Sequence, residues 1–257
     1  MPQVGYGLWQ VKDKQQCIDA VVCAAKAGYR HFDTAQVYGN EQFLAEGLRQ
    51  AELKRADTFI TTKIFINNFL RVEKSLDNSL KKLDTDYVDL LLLHFPVTGL
   101  RKNAWKKLEL VQSQGRVRSI GVSNYTIRHL KQLFEYCQVK PAVNQVELHV
   151  FLQQPELLAF CREHNIVVQA YSPLAHGRGI DDPLLAELAQ KHGKTPAQIM
   201  LRWCVEVGTV PLPKSVTPER IAQNIDVFDF TLDSDDMRKI SELEKGLRTC
   251  WDPTKTP

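Results

Sequence analysis

Short apolar, β-branched runs alternate along this chain with longer amphipathic ones. "YRHFD" is followed by "EQFLAEGLRQ", "TFITTK" by "RVEKSLDNSLKKL", and "YVDLLLLH" by "NAWKKLELVQSQG". The alternation continues with "VRSIGVSN" and "TIRHLKQLFEYC", then "PAVNQVELH" and "QPELLAFCREH". "IVVQAYSP" precedes two helical stretches, "DPLLAELAQKHG" and "TPAQIMLRWCVEVG", and "TVPLPKS" precedes "TPERIAQNIDVF". With the opening "VGYGLWQ" and its helix "KQQCIDAVVCAAKAG", the pattern predicts eight strand-helix units. Runs such as "DLLLLH" and "IVVQAY" are apolar at successive positions, as in strands covered on both faces of a parallel sheet. A doubly wound sheet also alternates, but it rarely needs eight units, and the chain has no GxGxxG or GxxxxGK[ST] phosphate loop. The prediction is an α/β fold, a (β/α)8 barrel, with residues 1–257 as one domain and no linker. A last helical segment, "DSDDMRKISELEKG", opens with acids and closes at Gly246, leaving "LRTCWDPTKTP" as an irregular tail.

Composition adds mainly exclusions. The 257 residues are 44% hydrophobic and 25% charged, an ordinary globular balance. Lys and Arg number 33 against 30 Asp and Glu, too even to mark a nucleic-acid partner or an anionic membrane, so any basic site must be local. The six cysteines are scattered, without a CxxC pair or clustering with histidine, and are expected to be reduced thiols rather than metal ligands. No apolar run approaches the roughly 20 residues of a membrane span. The start "MPQVGYGLWQ" lacks the features of a signal peptide, so a soluble, cytoplasmic protein is expected.

The barrel assignment gives the stretch "GYRHFDTAQVYGNE" a meaning, because the sites of such folds lie at the C-terminal ends of the strands. Asp33 ends the second strand and Tyr38 follows in its loop; Lys63 ends the third strand and His94 the fourth. Each has a bland alternative. A strand-end Asp often caps a helix, a lone Lys is usually solvated, and a His after an apolar run is usually a satisfied core residue. Joint placement on adjacent strands is what points to chemistry. A tyrosine is a weak acid at neutral pH, and a neighbouring ammonium such as Lys63 is expected to lower its pKa. Asp33 would keep that lysine charged and aimed, and His94 would orient a substrate oxygen. The group can deliver a proton to an oxygen that gains negative charge, and it holds no side-chain nucleophile with an obvious base. Carbonyl reduction fits if a cofactor brings hydride.

At this point the chain resembles the aldo-keto reductase superfamily over nearly its whole length, through "GYRHFDTAQVYGNE", "LLLHFPV" and "VPLPKSVTPERIAQN". Within it, the length, "AYSPLAHG" and the short tail look most like the microbial branch of 2,5-diketo-D-gluconate reductases and related prostaglandin F synthases. The resemblance implies a monomeric, NADPH-dependent reductase of aldehydes and ketones, with Asp33, Tyr38, Lys63 and His94 as its catalytic tetrad. It also implies the cofactor contacts. Ser123, Asn124 and Gln145 would bind the nicotinamide carboxamide, Tyr171 would stack on the ring, and Ser172 and Leu174 would lie over the pyrophosphate. Lys214, Ser215, Val216 and Arg220 would hold the adenosine 2′-phosphate, and Gln223 and Asn224 would reach the adenine. Core packing is the alternative for Tyr171, and solvated surface for Lys214 and Arg220.

Several positions depart from the family pattern. Ala45 stands where Gly is usual, Phe65 where many relatives have Trp, and Gln223 where an acid is common; the usual N-terminal hairpin has no counterpart. Trp9, Tyr38, Phe65 and His94, with contributions from the tail, are expected to line the substrate pocket, although Trp9 could be core packing. The short loop "FPVTGLRKNAW" and short tail suggest an open pocket for small-molecule carbonyl substrates. Two other classes make different demands on the sequence. A regulatory barrel that binds nucleotide without turnover would be expected to lack the tetrad, and a barrel hydrolase or isomerase would need a metal cluster or paired strand-end carboxylates.

Overall fold

In the computed structural model, which describes residues 1–257, eight strands follow one another in chain order around a single parallel sheet. They are β1 (Tyr6–Gly7), β2 (His31–Asp33), β3 (Phe59–Ile64), β4 (Val88–Leu93), β5 (Val117–Ser123), β6 (Val143–Glu147), β7 (Val167–Tyr171) and β8 (Val210–Leu212). Two backbone hydrogen bonds, Gly5 N to Pro211 O and Gly7 N to Pro213 O, both 3.0 Å, join the first and last strands. The seam needs glycine: a Cβ on Gly5 would lie 2.5 Å from the Leu212 side chain, and one on Gly7 3.0 Å from the Leu212 carbonyl. The predicted (β/α)8 barrel is the observed fold.

The helices that cover the sheet are α1 (Lys14–Lys26), α2 (Glu41–Gln50), α3 (Val72–Leu83), α4 (Arg101–Ser113), α5 (Ile127–Phe134) and α6 (Pro155–Glu163). After β7 come α7 (Pro183–His192) and α8 (Pro196–Glu206), as the two helical stretches of that unit predict; α9 (Pro218–Ile225) and α10 (Ser234–Ser241) complete the set. Local chemistry fixes their ends. Thr195 and Gln198 form a reciprocal capping box at α8, with Pro196 in its first turn. Gly193, in left-handed geometry at φ 63°, closes α7.

The apolar run of β4 shows why both faces read as hydrophobic. Leu91 and Leu93 belong to the core of 56 buried side chains between sheet and helices, whereas Leu90 and Leu92 join Val143 in a separate cluster. Alternate residues of one strand thus fill two layers. All six residues of β4 are buried, so the residue that follows them is delivered to the rim at a fixed height.

Candidate active site

Tyr38 is placed by a short 3-10 turn, Gln36–Tyr38, that Gly39 ends at φ 72°. Asn40 locks this turn to the segment after β1: its Nδ2 donates to Leu8 O (2.9 Å) and Val11 O (3.0 Å), and its Oδ1 accepts from Thr34 Oγ1 (2.7 Å). The sequence "DTAQVYGN" therefore carries its own scaffold.

The tetrad converges. Lys63, with no solvent exposure, donates to Asp33 Oδ1 at 2.6 Å, Thr34 O at 2.8 Å and Tyr38 Oη at 3.3 Å. Those three acceptors use all three protons of one ammonium. His94 lies just past β4, its ring edge-on to Tyr38 (centroids 5.9 Å) and to Phe65 (5.8 Å), and its Nδ1 is buried without a protein partner. Burial first, then the Lys63 charge, push the His94 pKa down to about 3, so the imidazole is neutral at physiological pH.

Burial also holds the Lys63 pKa below its ordinary value, against the opposing pull of Asp33. Tyr38 corrects one expectation. Burial, and then the Asp33 charge, raise its pKa well above that of free tyrosine, although the neighbouring ammonium was expected to lower it. The lysine charge is already matched by Asp33 at 2.6 Å, so little of it remains to offset the loss of water around a phenolate. Tyr38 thus rests as a neutral phenol with its proton in place.

The predicted nicotinamide contacts form one connected chain along the rim. Tyr171 Oη donates to Asn124 Oδ1 (2.7 Å), Asn124 Nδ2 donates to His94 O (3.0 Å) and Ser123 Oγ (3.1 Å), and Ser123 Oγ donates to Gln145 O (2.9 Å). Gln145 Nε2 donates to Asp33 Oδ2 (2.7 Å) and Gln169 Oε1 (2.8 Å), which uses both amide protons and leaves Oε1 without a protein partner. It braces the acid that holds Lys63, because β6 and β2 face each other across the barrel. Asn124 and Ser172 adopt left-handed backbone at φ 65° and 48°, as do Ala175 and His176 beyond them. Leu174 is half-buried between them.

After β8, Tyr6 Oη donates to Ser215 O, and Ser215 Oγ accepts from Thr217 N at 3.1 Å, which shapes the loop into α9. Lys214 and Arg220 are exposed, as is Gln223; Val216 is half-buried and Asn224 buried. The structure gathers the residues of this loop at one helix start, on a different part of the rim from the tetrad.

Trp9 is 41% exposed, beyond the end of β1, and meets His176 edge-on at 5.5 Å, so it belongs to the rim and not to the core. Sequence reasoning named no tail residue, yet the tail crosses this rim. Glu147 Oε1 accepts from Thr249 N and Thr249 Oγ1, each at 2.6 Å, and Oε2 accepts from Cys250 N at 3.2 Å. Burial raises the Glu147 pKa, but hydrogen bonds from His149 and Thr249 outweigh it and hold the group below its ordinary value. Cys250 Sγ lies 3.3 Å from His176 Nε2, and Trp251 stacks on Phe95 at 4.4 Å. Further on, Arg101 Nη1 (2.9 Å) and Thr98 Oγ1 (2.7 Å) donate to Pro257 O. An aromatic and a thiol in an otherwise polar tail were the available signal.

No group of three or more His, Cys, Asp or Glu side chains is placed to hold a metal ion, and all six cysteines are free. No helix is long and apolar enough to cross a membrane.

The chain is 44% identical over 257 residues to methylglyoxal reductase DkgA of Escherichia coli K12, covering 98% of this chain and 93% of that one. It is 41% identical over 259 residues to the 9,11-endoperoxide prostaglandin H2 reductase of Trypanosoma cruzi, covering 98% and 92%. The crystal structure of MGS-M4, an aldo-keto reductase enzyme from a Medee basin deep-sea metagenome library, superposes with a TM-score of 0.96 at 38% identity, covering 100% of this chain and 96% of that one. Residues 3–179 and 181–245 match the sequence pattern described as the aldo/keto reductase family. The chain belongs to the aldo/keto reductase family.

Proposed function

We propose that the protein reduces small aldehydes and ketones to alcohols, with NADPH as reductant and Tyr38 as proton donor. The observation that carries this reading is a fully buried Lys63 hydrogen-bonded at once to Asp33 and to Tyr38 Oη, with neutral His94 beside it. When bound, the reduced nicotinamide supplies a hydride to the carbonyl carbon. The chain's residues handle the oxygen. His94 orients it, and the Tyr38 hydroxyl transfers its proton as negative charge develops there. Lys63, 3.3 Å from that hydroxyl, stabilises the tyrosinate that forms, and solvent returns the proton afterwards.

The residues present suit a dinucleotide. Asn124 and Ser123 offer amide and hydroxyl groups, and Tyr171 offers a ring face at the end of β7. Lys214 and Arg220 at the start of α9 form a local anion site in a nearly neutral chain, and a guanidinium suits a 2′-phosphate. With both Gln145 amide protons taken by Asp33 and Gln169, its Oε1 is the atom left to accept from the carboxamide, beside Ser123 and Asn124. The name of the Escherichia coli relative makes methylglyoxal a reasonable first substrate. A regulatory barrel without turnover is the alternative, and the intact tetrad speaks against it. The test is NADPH oxidation with methylglyoxal and a panel of small aldehydes, diketones and quinones. Cofactor binding without oxidation across the panel would overturn the reductase reading.

A further inference from the structure

Behind the turn that carries Tyr38 lies a polar cavity of about 250 Å3 whose lining contains no hydrophobic residue. One wall is a single face of α3 and the residue preceding it, with Arg71, Lys74, Ser75, Ser79 and Lys82 at helical spacing; Glu41, at the start of α2, faces them. Ser75, Ser79 and Glu41 are buried at the floor, and the three cations are exposed at the mouth.

Glu41 is the unusual member. It is 1% exposed, and its Oε1 accepts from Thr62 Oγ1 at 2.7 Å, but Oε2 has no hydrogen-bond partner in the protein. The Lys82 ammonium stands 3.8 Å away, close enough to attract but too far to donate a hydrogen bond. A buried carboxylate oxygen left in this way favours a ligand that brings a donor. Lys82 is the only one of the three cations with a carboxylate within ion-pair distance, so Arg71 and Lys74 retain a surplus of two positive charges at the mouth. The cavity therefore asks for a dianion at its mouth and a hydroxyl at its floor.

We propose that this cavity binds a small hydroxylated phosphate monoester, with Arg71 and Lys74 on the phosphate and Glu41 Oε2 accepting from a hydroxyl. A phosphate monoester carries close to two negative charges at neutral pH, which matches the surplus, and hydroxyl groups match a lining without hydrophobic residues. The cavity is separate from the Lys214 and Arg220 loop, which follows β8, so the two anion sites can be told apart by mutation.

Glycerol phosphate is titrated calorimetrically into the full chain, with propyl phosphate as the analogue lacking hydroxyls. Glycerol phosphate should saturate one site, and propyl phosphate should bind about fivefold or more weakly. Lys74→Ala, at an exposed helix position that leaves folding intact, should weaken glycerol phosphate about tenfold, and the Arg71→Ala/Lys74→Ala pair further. Arg220→Ala should leave it unchanged. Loss of binding in Arg220→Ala with retention in Lys74→Ala would put the phosphate at the loop after β8 and overturn the proposal. Equal affinity for the two phosphates would remove Glu41 from the site, and absence of saturable heat up to about 10 mM would remove the site itself.

Discussion

The two ends of the barrel use nearly the same three residue types to opposite effect. At the C-terminal rim, Asp33 holds Lys63, and Lys63 reaches Tyr38. At the other end, where β4 begins, Asp89 accepts from Arg55 Nη2 at 2.7 Å and pairs with Arg118 Nη1 at 3.3 Å; both guanidinium groups lie over the Tyr87 ring, at 3.9 and 4.4 Å. Asp89 also accepts from Ile60 N, so it ties β3 to β4. The difference lies in the cation and its water. Lys63 is wholly buried, is a titratable point charge and is aimed at a hydroxyl. Arg55 and Arg118 remain partly exposed and spread their charge over a flat ring. Burial perturbs a proton donor at one end, whereas stacking fastens strands together at the other.

Tyr38→Phe should break this contrast most deeply. It deletes the transferable proton and should lower kcat about a thousandfold or more while the melting temperature stays near wild type; Tyr87→Phe should leave kcat unchanged. Retention of more than about a tenth of kcat in Tyr38→Phe would mean that the acid is misassigned. Next in size, Lys63→Met should cost about a hundredfold in kcat, since the tyrosinate loses its neighbouring charge. Asp89→Asn sharpens the comparison: it should lower stability by about 3 kcal/mol in denaturant titrations and leave kcat/KM alone.

Arg220→Ala should weaken NADPH binding about ten- to a hundredfold and NADH hardly at all, read by fluorescence quenching. Equal losses would withdraw the loop after β8 as the 2′-phosphate site.

Acid pH provides a smaller effect with a definite sign. His31 and His94 are both pushed down to about 3 by burial, so in the folded chain they stay neutral where an unfolded histidine, near 6.5, binds a proton. The unfolded state then binds more protons between those values, and stability falls as pH drops from about 6.5 toward 3. In His94→Gln the slope of unfolding free energy against pH in that window should be shallower by close to one proton. An unchanged slope would mean that His94 is not held neutral. Smallest of all, Trp251→Ala should raise KM a few-fold with kcat nearly constant, because Trp251 stacks on Phe95 at the rim without touching the tetrad.

Chain-local order determined much of this protein. Strand and helix alternate with periods that a single sequence displays, and a buried parallel strand such as "VDLLLL" announces itself because both its faces must be apolar. The tetrad was legible for the same reason: in a barrel, residues at the C-terminal end of a strand reach the rim, so Asp33, Lys63 and His94 were located to within one position of the strand ends. Tertiary structure decided what depends on partners distant in the chain. Gln145 turned to Asp33, 112 positions away, and the tail met Glu147, about a hundred positions away, through contacts that no local pattern encodes. The direction of the Tyr38 pKa was likewise decided by three dimensions. Spacing shows that a lysine is near, but only packing shows how much water has been removed and how much of the lysine charge Asp33 has already taken.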